Sequence, residues 1–408
     1  MVRTRFAPSP TGMMHIGSVR TALYAFLVAK KNKGTFFLRI EDTDRKRAVE
    51  GATEDIINNL KWLGLDFKEL VVQSERQELY KKYANELVSK KLAYESEGAI
   101  WFKVPKTGRI VYTDLIGNRR IEFENSSQKD FVILKSDGFP TYHLAHVVDD
   151  HLMQINPVIR AEEWMPSTPK HIMLFEAFGW EIPEYAHLPL ILGTDRSKLS
   201  KRHGAKGVSE FRKDGFLPQA ILNYMALLGW TPPNGEEILT LDEMIDVFDL
   251  KDVHISPAIF DLKKLEWMNG IYIRQAKLDE LRSKIKDQRS KITIDENLLD
   301  RFIPLAQDRM TTLNDFYDLV FPLISSQKPE LSDKERMVAK KLLEKFLRIQ
   351  QWNNEAIFSA FKEVMAEEKI KMPLIYKIIT GKEKGLPLPQ SLEILGKEEV
   401  AKRLKNSL

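Results

Sequence analysis

The fold is decided by the stretch Pro8-Ser9-Pro10-Thr11-Gly12-Met13-Met14-His15-Ile16-Gly17-Ser18. Before it, residues 2–7 alternate basic side chains with apolar or small ones, which predicts a strand. After it, apolar residues recur at helical spacing from Val19 to Leu27. A turn rich in Pro and Gly that leads into a helix N-terminus can receive phosphate groups. The stretch therefore predicts a phosphate-binding turn between a strand and a helix.

Further elements extend this pattern into a fold class. Thr35–Ile40 predicts a second strand, and the apolar spacing from Ile56 to Leu63 predicts a second helix. Strands that alternate with helices are typical of α/β proteins, so we expect a Rossmann-like, doubly wound parallel sheet. Such sheets bind ligands beyond the carboxyl ends of their strands, where this arrangement places Ser9, His15 and Glu41.

The rest of the chain predicts an insertion and a helical end. Short β-prone pieces occur within residues 95–138, and Val158–Ala161 and His187–Leu192 predict a return to the sheet. Beyond about Val208 the apolar spacing is helical to the C-terminus. We expect a discontinuous Rossmann-like domain over 1–94 and 139–207, a β-rich insertion over 95–138, a helical connective domain over 208–275 and an all-helical domain over 276–408.

Composition restricts the class of protein. The 408 residues include 62 Lys and Arg against 58 Asp and Glu, a net charge of +4 that neither demands nor excludes nucleic acid. Because there is no cysteine, disulfides and thiolate zinc sites are excluded. No apolar run reaches the ~18 residues of a membrane span, and the N-terminus lacks the apolar core of a signal peptide. We expect a cytoplasmic, monomeric enzyme without membrane contact.

A second stretch, Lys198-Leu199-Ser200-Lys201-Arg202, predicts a basic loop. Taken alone, it is typical of a solvated surface loop. It follows Leu190–Gly193, at the end of a predicted strand, where mobile lysines can neutralise phosphates during group transfer. This placement favours a role in phosphate chemistry.

The two stretches together resemble the ATP motifs of class I aminoacyl-tRNA synthetases. Phe6–Gly12 and Arg39–Asp44 resemble the glutamyl-tRNA synthetase family in particular, and the resemblance runs from Val2 nearly to the C-terminus. It implies ATP with Mg²⁺, L-glutamate and tRNA as partners. It also implies formation of glutamyl-adenylate, acyl transfer to the terminal ribose of the tRNA, and a C-terminal anticodon-binding domain.

The resemblance implies residues for ATP and catalysis. The catalytic set comprises His15, Ser18, Lys198, Ser200 and Lys201. The ATP-binding set comprises Pro8, Ser9, Gly12, His15, Gly17, Glu163, Leu199 and Lys201. Ser18 departs from the family, which usually has His or Gly there; its hydroxyl retains a hydrogen-bonding group.

Glutamate binding requires cations for two carboxylates and an anion for the amino group. Arg5 and Arg160 are the candidate cations and Glu41 the candidate anion, although any one arginine alone is more typical of a surface salt bridge. The implied glutamate-binding set comprises Arg5, Ala7, Ser9, Glu41, Tyr142, His146 and Arg160. The cluster from His143 to His151 could bind a divalent metal, but it is no complete zinc set, and we expect it to line the amino-acid pocket.

The tRNA contacts follow from the same resemblance. Arg47, Trp164, Tyr376 and Lys377 are the implied tRNA-binding residues. Family members usually have a longer insertion with zinc-binding cysteines, so residues 95–138 predict a trimmed, zinc-free acceptor-stem insertion. Members specific for glutamate tRNA often have arginine where Tyr376 stands. We therefore hypothesise that this chain also charges glutamine tRNA, unless Lys377 discriminates the base instead.

Three alternatives share parts of this pattern. Glutaminyl-tRNA synthetase shares the N-terminal half, but its anticodon module resembles a β-barrel. A glutamyl-queuosine enzyme lacks the long C-terminal domain. An inactive tRNA-binding relative is disfavoured by the intact Lys198, Ser200 and Lys201.

Overall fold

A computed structural model describes residues 1–288, 294–325 and 329–408, with Lys201 described by its backbone only. The chain forms two compact units. The first comprises 1–212 and 218–265, and the second comprises 213–217 and 266–408. The predicted bounds at 207/208 and 275/276 describe a finer division than this one.

The strands and helices have the following bounds. The strands are β1 (Arg3–Phe6), β2 (Thr35–Ile40), β3 (Leu70–Val72), β4 (Ala93–Ser96), β5 (Ala99–Phe102), β6 (Arg109–Asp114), β7 (Arg119–Glu124), β8 (Phe131–Leu134), β9 (Val158–Ala161), β10 (Tyr185–Leu188), β11 (Ile191–Leu192) and β12 (Ala258–Ile259). The helices of the first unit and its boundaries are α1 (Ile16–Lys31), α2 (Ala52–Leu63), α3 (Gln77–Ser89), α4 (Tyr142–Leu152), α5 (Thr168–Phe178), α6 (Val208–Lys213), α7 (Pro218–Leu227), α8 (Leu241–Val247) and α9 (Leu262–Gln275). Those of the second unit are α10 (Leu278–Gln288), α11 (Glu296–Gln307), α12 (Asp315–Ile324), α13 (Asp333–Arg348), α14 (Asn354–Glu368), α15 (Met372–Thr380), α16 (Leu388–Leu395) and α17 (Lys397–Ser407).

Parallel strands form the centre of the first unit, which confirms the predicted α/β class. One sheet has the order β1-β2-β3 and a second has the order β7-β6-β10-β9. The two sheets meet where the backbones of Arg3 and Asn156 exchange hydrogen bonds of 3.3 and 2.9 Å, which places β1 beside β9. The strand order therefore reverses between β1 and β9, the position at which doubly wound sheets bind ligands.

Helix α1 anchors this centre because its residues are apolar on nearly all sides. Val19, Leu23 and Leu27 are completely buried, and the helix packs against β1, β2 and β9. His15 caps its N-terminus, and its Nδ1 accepts a hydrogen bond of 3.1 Å from the Gly17 backbone. An apolar helix of this kind is held by sheet packing rather than by propensity alone.

The region 95–138 contributes to two sheets. Strands β4, β5 and β8 form an antiparallel sheet, as expected for a β-rich insertion. Strands β6 and β7 form a hairpin, and β6 pairs in parallel with β10 beside Tyr185 and Asp114. The hairpin thereby extends the central sheet, which the sequence did not predict.

The second unit confirms the predicted helical C-terminal region, since its described residues after 276 form helices without strands. Its longest helix, α13, begins with a capping box in which Ser332 and Glu335 satisfy each other's backbone donors. In the first unit, the predicted strand His187–Leu192 is divided between β10 and β11, because Pro189 interrupts it. Among the described residues, no helix is both long and apolar enough to cross a membrane.

Candidate active site

A cavity of about 560 Å³ opens where β1 and β9 end. It brings together most of the residues that the two sequence motifs implicate, although these lie up to about 190 positions apart. The predicted residues that line it are Arg5, Ala7, Pro8, Ser9, His15, Gly17, Ser18, Glu41, Arg47, Tyr142, Arg160, Glu163, Trp164, Lys198 and Leu199.

The phosphate-binding turn is fixed by backbone contacts. The Met14 backbone donates to Asp55 Oδ2 at 2.7 Å, and the carbonyl of Pro8 accepts from the Glu41 backbone at 3.0 Å. Because Nδ1 of His15 accepts from Gly17, a neutral His15 ring has its proton on Nε2. His15 therefore presents a donor, at a helix N-terminus, to a cavity that suits phosphate.

The basic loop faces the same cavity. Lys198 Nζ lies 2.5 Å from Glu163 Oε1, and both side chains are substantially exposed. An exposed pair of this kind is weak, so an incoming anion can displace Glu163 from Lys198 at little cost. Ser200 does not line the cavity; its hydroxyl lies 3.1 Å from Nδ1 of His203. The backbone of Lys201 begins a short 3₁₀ turn, and its side chain lies outside the described residues.

Buried charges of both signs form a compensated network at the sheet ends. Arg5 donates to both carboxylate oxygens of Asp150, at 3.0 and 3.4 Å. Arg39 donates to Asp150 at 2.7 Å and to Glu41 at 3.0 Å. Burial raises the pKa of Glu41 although Arg39 opposes the shift. Burial alone would also raise the pKa of Asp150, but Arg39 and Arg5 outweigh it and the pKa is lowered.

Arg160 differs from Arg5 because it has no carboxylate partner among the described residues. It is 5% exposed and lines the cavity. Its nitrogens contact neutral groups only: His187 Nε2 at 3.1 Å, the Tyr142 hydroxyl at 3.3 Å, His171 Nδ1 at 3.1 Å and Thr168 Oγ1 at 2.8 Å. A buried cation at a cavity wall, with no carboxylate in direct contact, favours an anionic ligand.

The histidines around Arg160 are neutral. Burial lowers the pKa of His143 to about 4, with help from Lys170 and Arg160, and burial holds the pKa values of His146 and His171 well below the ordinary value. Because Arg160 only donates, Nδ1 of His171 accepts, and His171 Nε2 donates to His143 Nδ1 at 3.1 Å. The side chains that the guanidinium contacts are thus neutral acceptors.

Two other predicted residues lie away from the cavity wall. His146 does not line it: the ring is completely buried, stacks on His171 at 4.4 Å and lies with Nε2 3.1 Å from Asp150 Oδ2. His146 follows Tyr142 by one turn on the same face of α4, with ring centroids 5.2 Å apart, and only Tyr142 reaches the cavity. Gly12 belongs to the turn but does not line the cavity either.

The two predicted anticodon residues have different surroundings in the second unit. Tyr376 is half-buried and lines a groove of about 940 Å³, together with Arg309, Pro373, Lys382 and neighbouring residues. Lys377 is turned away from this groove, and its Nζ lies 2.7 Å from Glu335 Oε1. Of the two residues, only Tyr376 therefore faces the groove.

Sequence reasoning assigned no role to several residues that complete the site. Asp150 and Arg39 hold Arg5 and Glu41, and His171, His187 and Thr168 hold Arg160. A signal for some of them was present, since Arg39 and His187 interrupt otherwise apolar strands. Within the described ranges, the site included, no group of three or more His, Asp or Glu side chains is arranged to hold a metal ion.

Comparison with protein families identifies the class. The model of the class I tRNA synthetase (E and Q) catalytic domain matches residues 1–99 and 95–267, and that of an anticodon-binding domain matches residues 278–408. The catalytic-domain match is in two parts that overlap at residues 95–99, where the predicted shortened insertion begins. The fold and the site are thus those of a class I aminoacyl-tRNA synthetase.

Individual relatives identify the family within this class. A "Glutamate--tRNA ligase" of Dehalococcoides mccartyi is 40% identical, covering 99% of this chain and 97% of its own length, and one of Aquifex aeolicus is 38% identical, covering 99% and 98%. The crystal structure of an Elizabethkingia meningosepticum glutamate tRNA ligase in complex with its amino acid superposes with a TM-score of 0.86 at 30% identity, covering 100% and 99% of the two chains. The chain belongs to the glutamate–tRNA ligase family.

Proposed function

We propose that the protein ligates L-glutamate to the 3′ end of its tRNA in two ATP-dependent steps. The observation that carries the proposal is Arg160, a buried guanidinium that lines the cavity without a carboxylate partner among the described residues. Glu41 lines the same cavity and supplies an anion for the amino group. An amino acid with a carboxylate for Arg160 and an amino group for Glu41 matches this arrangement of charge.

In the first step, a carboxylate oxygen of glutamate attacks the α-phosphorus of ATP, and pyrophosphate leaves. His15 and the N-terminus of α1 would bind the phosphates, and Lys198 would leave Glu163 to neutralise them. Lys201 would approach the α-phosphate. In the second step, a terminal ribose hydroxyl of tRNA attacks the acyl carbon and AMP leaves. Mg²⁺ would enter with ATP through phosphate oxygens rather than through a dedicated protein site.

Pyrophosphate exchange in the presence of tRNA tests this proposal. We expect exchange that depends on glutamate and is much weaker with glutamine, because a neutral amide leaves Arg160 unpaired. Exchange with glutamine alone would favour a glutaminyl enzyme. Absence of exchange with either amino acid, together with retained tRNA binding, would favour an inactive tRNA-binding relative.

Relaxed choice of tRNA is the finer part of the proposal. Tyr376 offers a stacking face to a base, which tolerates different bases, whereas an arginine fork discriminates by hydrogen bonds. Lys377 is engaged by Glu335, which supports Tyr376 as the residue next to the third anticodon base. We infer that glutamine tRNA is charged with glutamate as well.

Transcripts that differ only in the third anticodon base test this inference. We expect similar glutamylation of both in the wild type and a preference for glutamate tRNA in Tyr376→Arg. Lys377→Ala is the matched control, and we expect it to leave the ratio unchanged. A wild-type preference above ~100-fold, or ~2.7 kcal/mol, would reject relaxed recognition.

The remaining parts of the proposal concern the state of the protein. We propose a monomeric, cytoplasmic enzyme without structural zinc, because the chain has no cysteine and each compact unit has its own core. Light scattering after size exclusion measures the mass in solution. A mass of two chains would reject the monomer.

A further inference from the structure

A buried row of polar side chains crosses three neighbouring strands behind the cavity. The register of β10 with β9 places His187 beside Arg160, and the register of β10 with β6 places Tyr185 beside Asp114. Asp114 and His187 are completely buried, and Arg160 lies at the cavity wall. The row therefore begins on the β6–β7 hairpin and ends at the site.

Hydrogen bonds run from Arg160 through His187 to Asp114, and each side chain donates to the next. Asp114 Oδ2 lies 2.5 Å from His187 Nδ1, and Asp114 Oδ1 accepts from the His187 backbone at 3.3 Å. A carboxylate only accepts, so the His187 proton is on Nδ1 and Nε2 is an acceptor. Arg160 Nε donates to this Nε2 at 3.1 Å. Burial lowers the pKa of His187, which keeps the ring in this neutral form, although Asp114 opposes the shift.

The row places a negative charge near Arg160 without direct contact. A buried guanidinium needs compensation, but a carboxylate in direct contact would compete with the substrate carboxylate. The imidazole of His187 separates Asp114 from Arg160 by one ring. Asp114 thus stabilises the cation and fixes its orientation, while the guanidinium stays available to a ligand, in contrast to Arg5, which Asp150 binds directly.

We propose that Asp114 and His187 are positioning residues for substrate binding, which act through Arg160 and connect the β6–β7 hairpin to the amino-acid pocket. The proposal rests on the proposed function, in which Arg160 binds a glutamate carboxylate. Residues behind a binding site commonly orient the side chains that contact the ligand and stabilise their charge. Asp114 and His187 would do this for Arg160.

Two substitutions at one position separate positioning from packing. His187→Asn retains an amide at the position of Nδ1, which satisfies Asp114, but removes the acceptor for Arg160. His187→Gln retains an acceptor at the position of Nε2 but separates it from Asp114. Asp114→Asn keeps the shape of the row and removes its charge. Glu122→Gln is the matched control, because it removes an exposed carboxylate from the same hairpin.

Pyrophosphate exchange in the presence of tRNA measures the outcome, with KM determined separately for glutamate and ATP. We expect each of the three row variants to raise the KM for glutamate about tenfold or more, with the KM for ATP unchanged. Glu122→Gln should match the wild type.

The outcomes distinguish the positioning role of His187 and Asp114 from the proposed function. Wild-type exchange together with an unchanged glutamate KM in folded His187→Asn would overturn the positioning role and leave the proposed function standing. Equal increases in the KM for glutamate and ATP would overturn it as well. Should Asp114→Asn fail to fold, His187→Asn still decides, because it leaves Asp114 hydrogen-bonded. Wild-type protein without exchange would reject the proposed function and this inference with it.

Discussion

Arg160 and Arg39 are both buried arginines near one cavity, yet their replacement should have opposite consequences. Arg39 pairs with Asp150 and Glu41; Arg39→Gln leaves the buried Glu41 without its cation, although Arg5 still holds Asp150. Breaking a buried pair in this way costs about 3–5 kcal/mol. In a unit of this size that loss lowers the Tm by about 10 °C.

Arg160→Gln should barely change stability. It removes hydrogen bonds to neutral acceptors, worth about 1 kcal/mol each, but it also removes a buried cation without a carboxylate partner among the described residues. The two effects offset each other. Glutamate binding, in contrast, loses a buried charge pair, which costs about 3 kcal/mol, or roughly a 150-fold increase in KM.

Thermal melts and pyrophosphate exchange in the presence of tRNA measure the two effects side by side. We expect a low Tm for Arg39→Gln, and for Arg160→Gln a nearly normal Tm with a raised KM for glutamate and an unchanged KM for ATP. If Arg160→Gln loses as much stability as Arg39→Gln, or leaves the glutamate KM unchanged, Arg160 is a structural residue and the reasoning fails.

Three further predictions concern pH, the basic loop and metal content. Between pH 4 and 6.5, a buried histidine such as His143 stays neutral in the folded state, whereas the same side chain is protonated in the unfolded chain. Stability should therefore rise with pH in this window, by up to about 1.4 kcal/mol per pH unit for each such histidine, and melts of His143→Gln should show a smaller slope; an equal slope would contradict the assignment. Lys201→Ala should fold normally but raise the activation free energy of adenylate formation by ~2–4 kcal/mol. The surface control Lys106→Ala should leave it unchanged. A near-wild-type exchange rate in Lys201→Ala would remove Lys201 from the mechanism. Elemental analysis should find no stoichiometric zinc, and one tightly bound zinc per chain would refute this and direct attention to the histidines of α4.

Local pattern was sufficient for several elements and for the edge of the sheet at which the cavity lies. The bounds of Thr35–Ile40 and Val158–Ala161 match the predicted strands, because an apolar run between turn residues is a local feature of the sequence. The site residues near His15 and Glu41 were predictable because parallel strands bring their carboxyl ends, and the loops after them, to one edge.

Tertiary structure alone decided which charges are compensated. Arg5 and Arg160 are equivalent candidates in the sequence, but a carboxylate 145 positions away occupies Arg5, while Arg160 contacts neutral groups. Likewise, Asp114 and His187 are 73 positions apart in the sequence. They meet because the strand order of the sheet places β6 parallel to β10. Sequence periodicity shows which face of an element is buried, whereas partner choice between distant polar groups is fixed by sheet order and register.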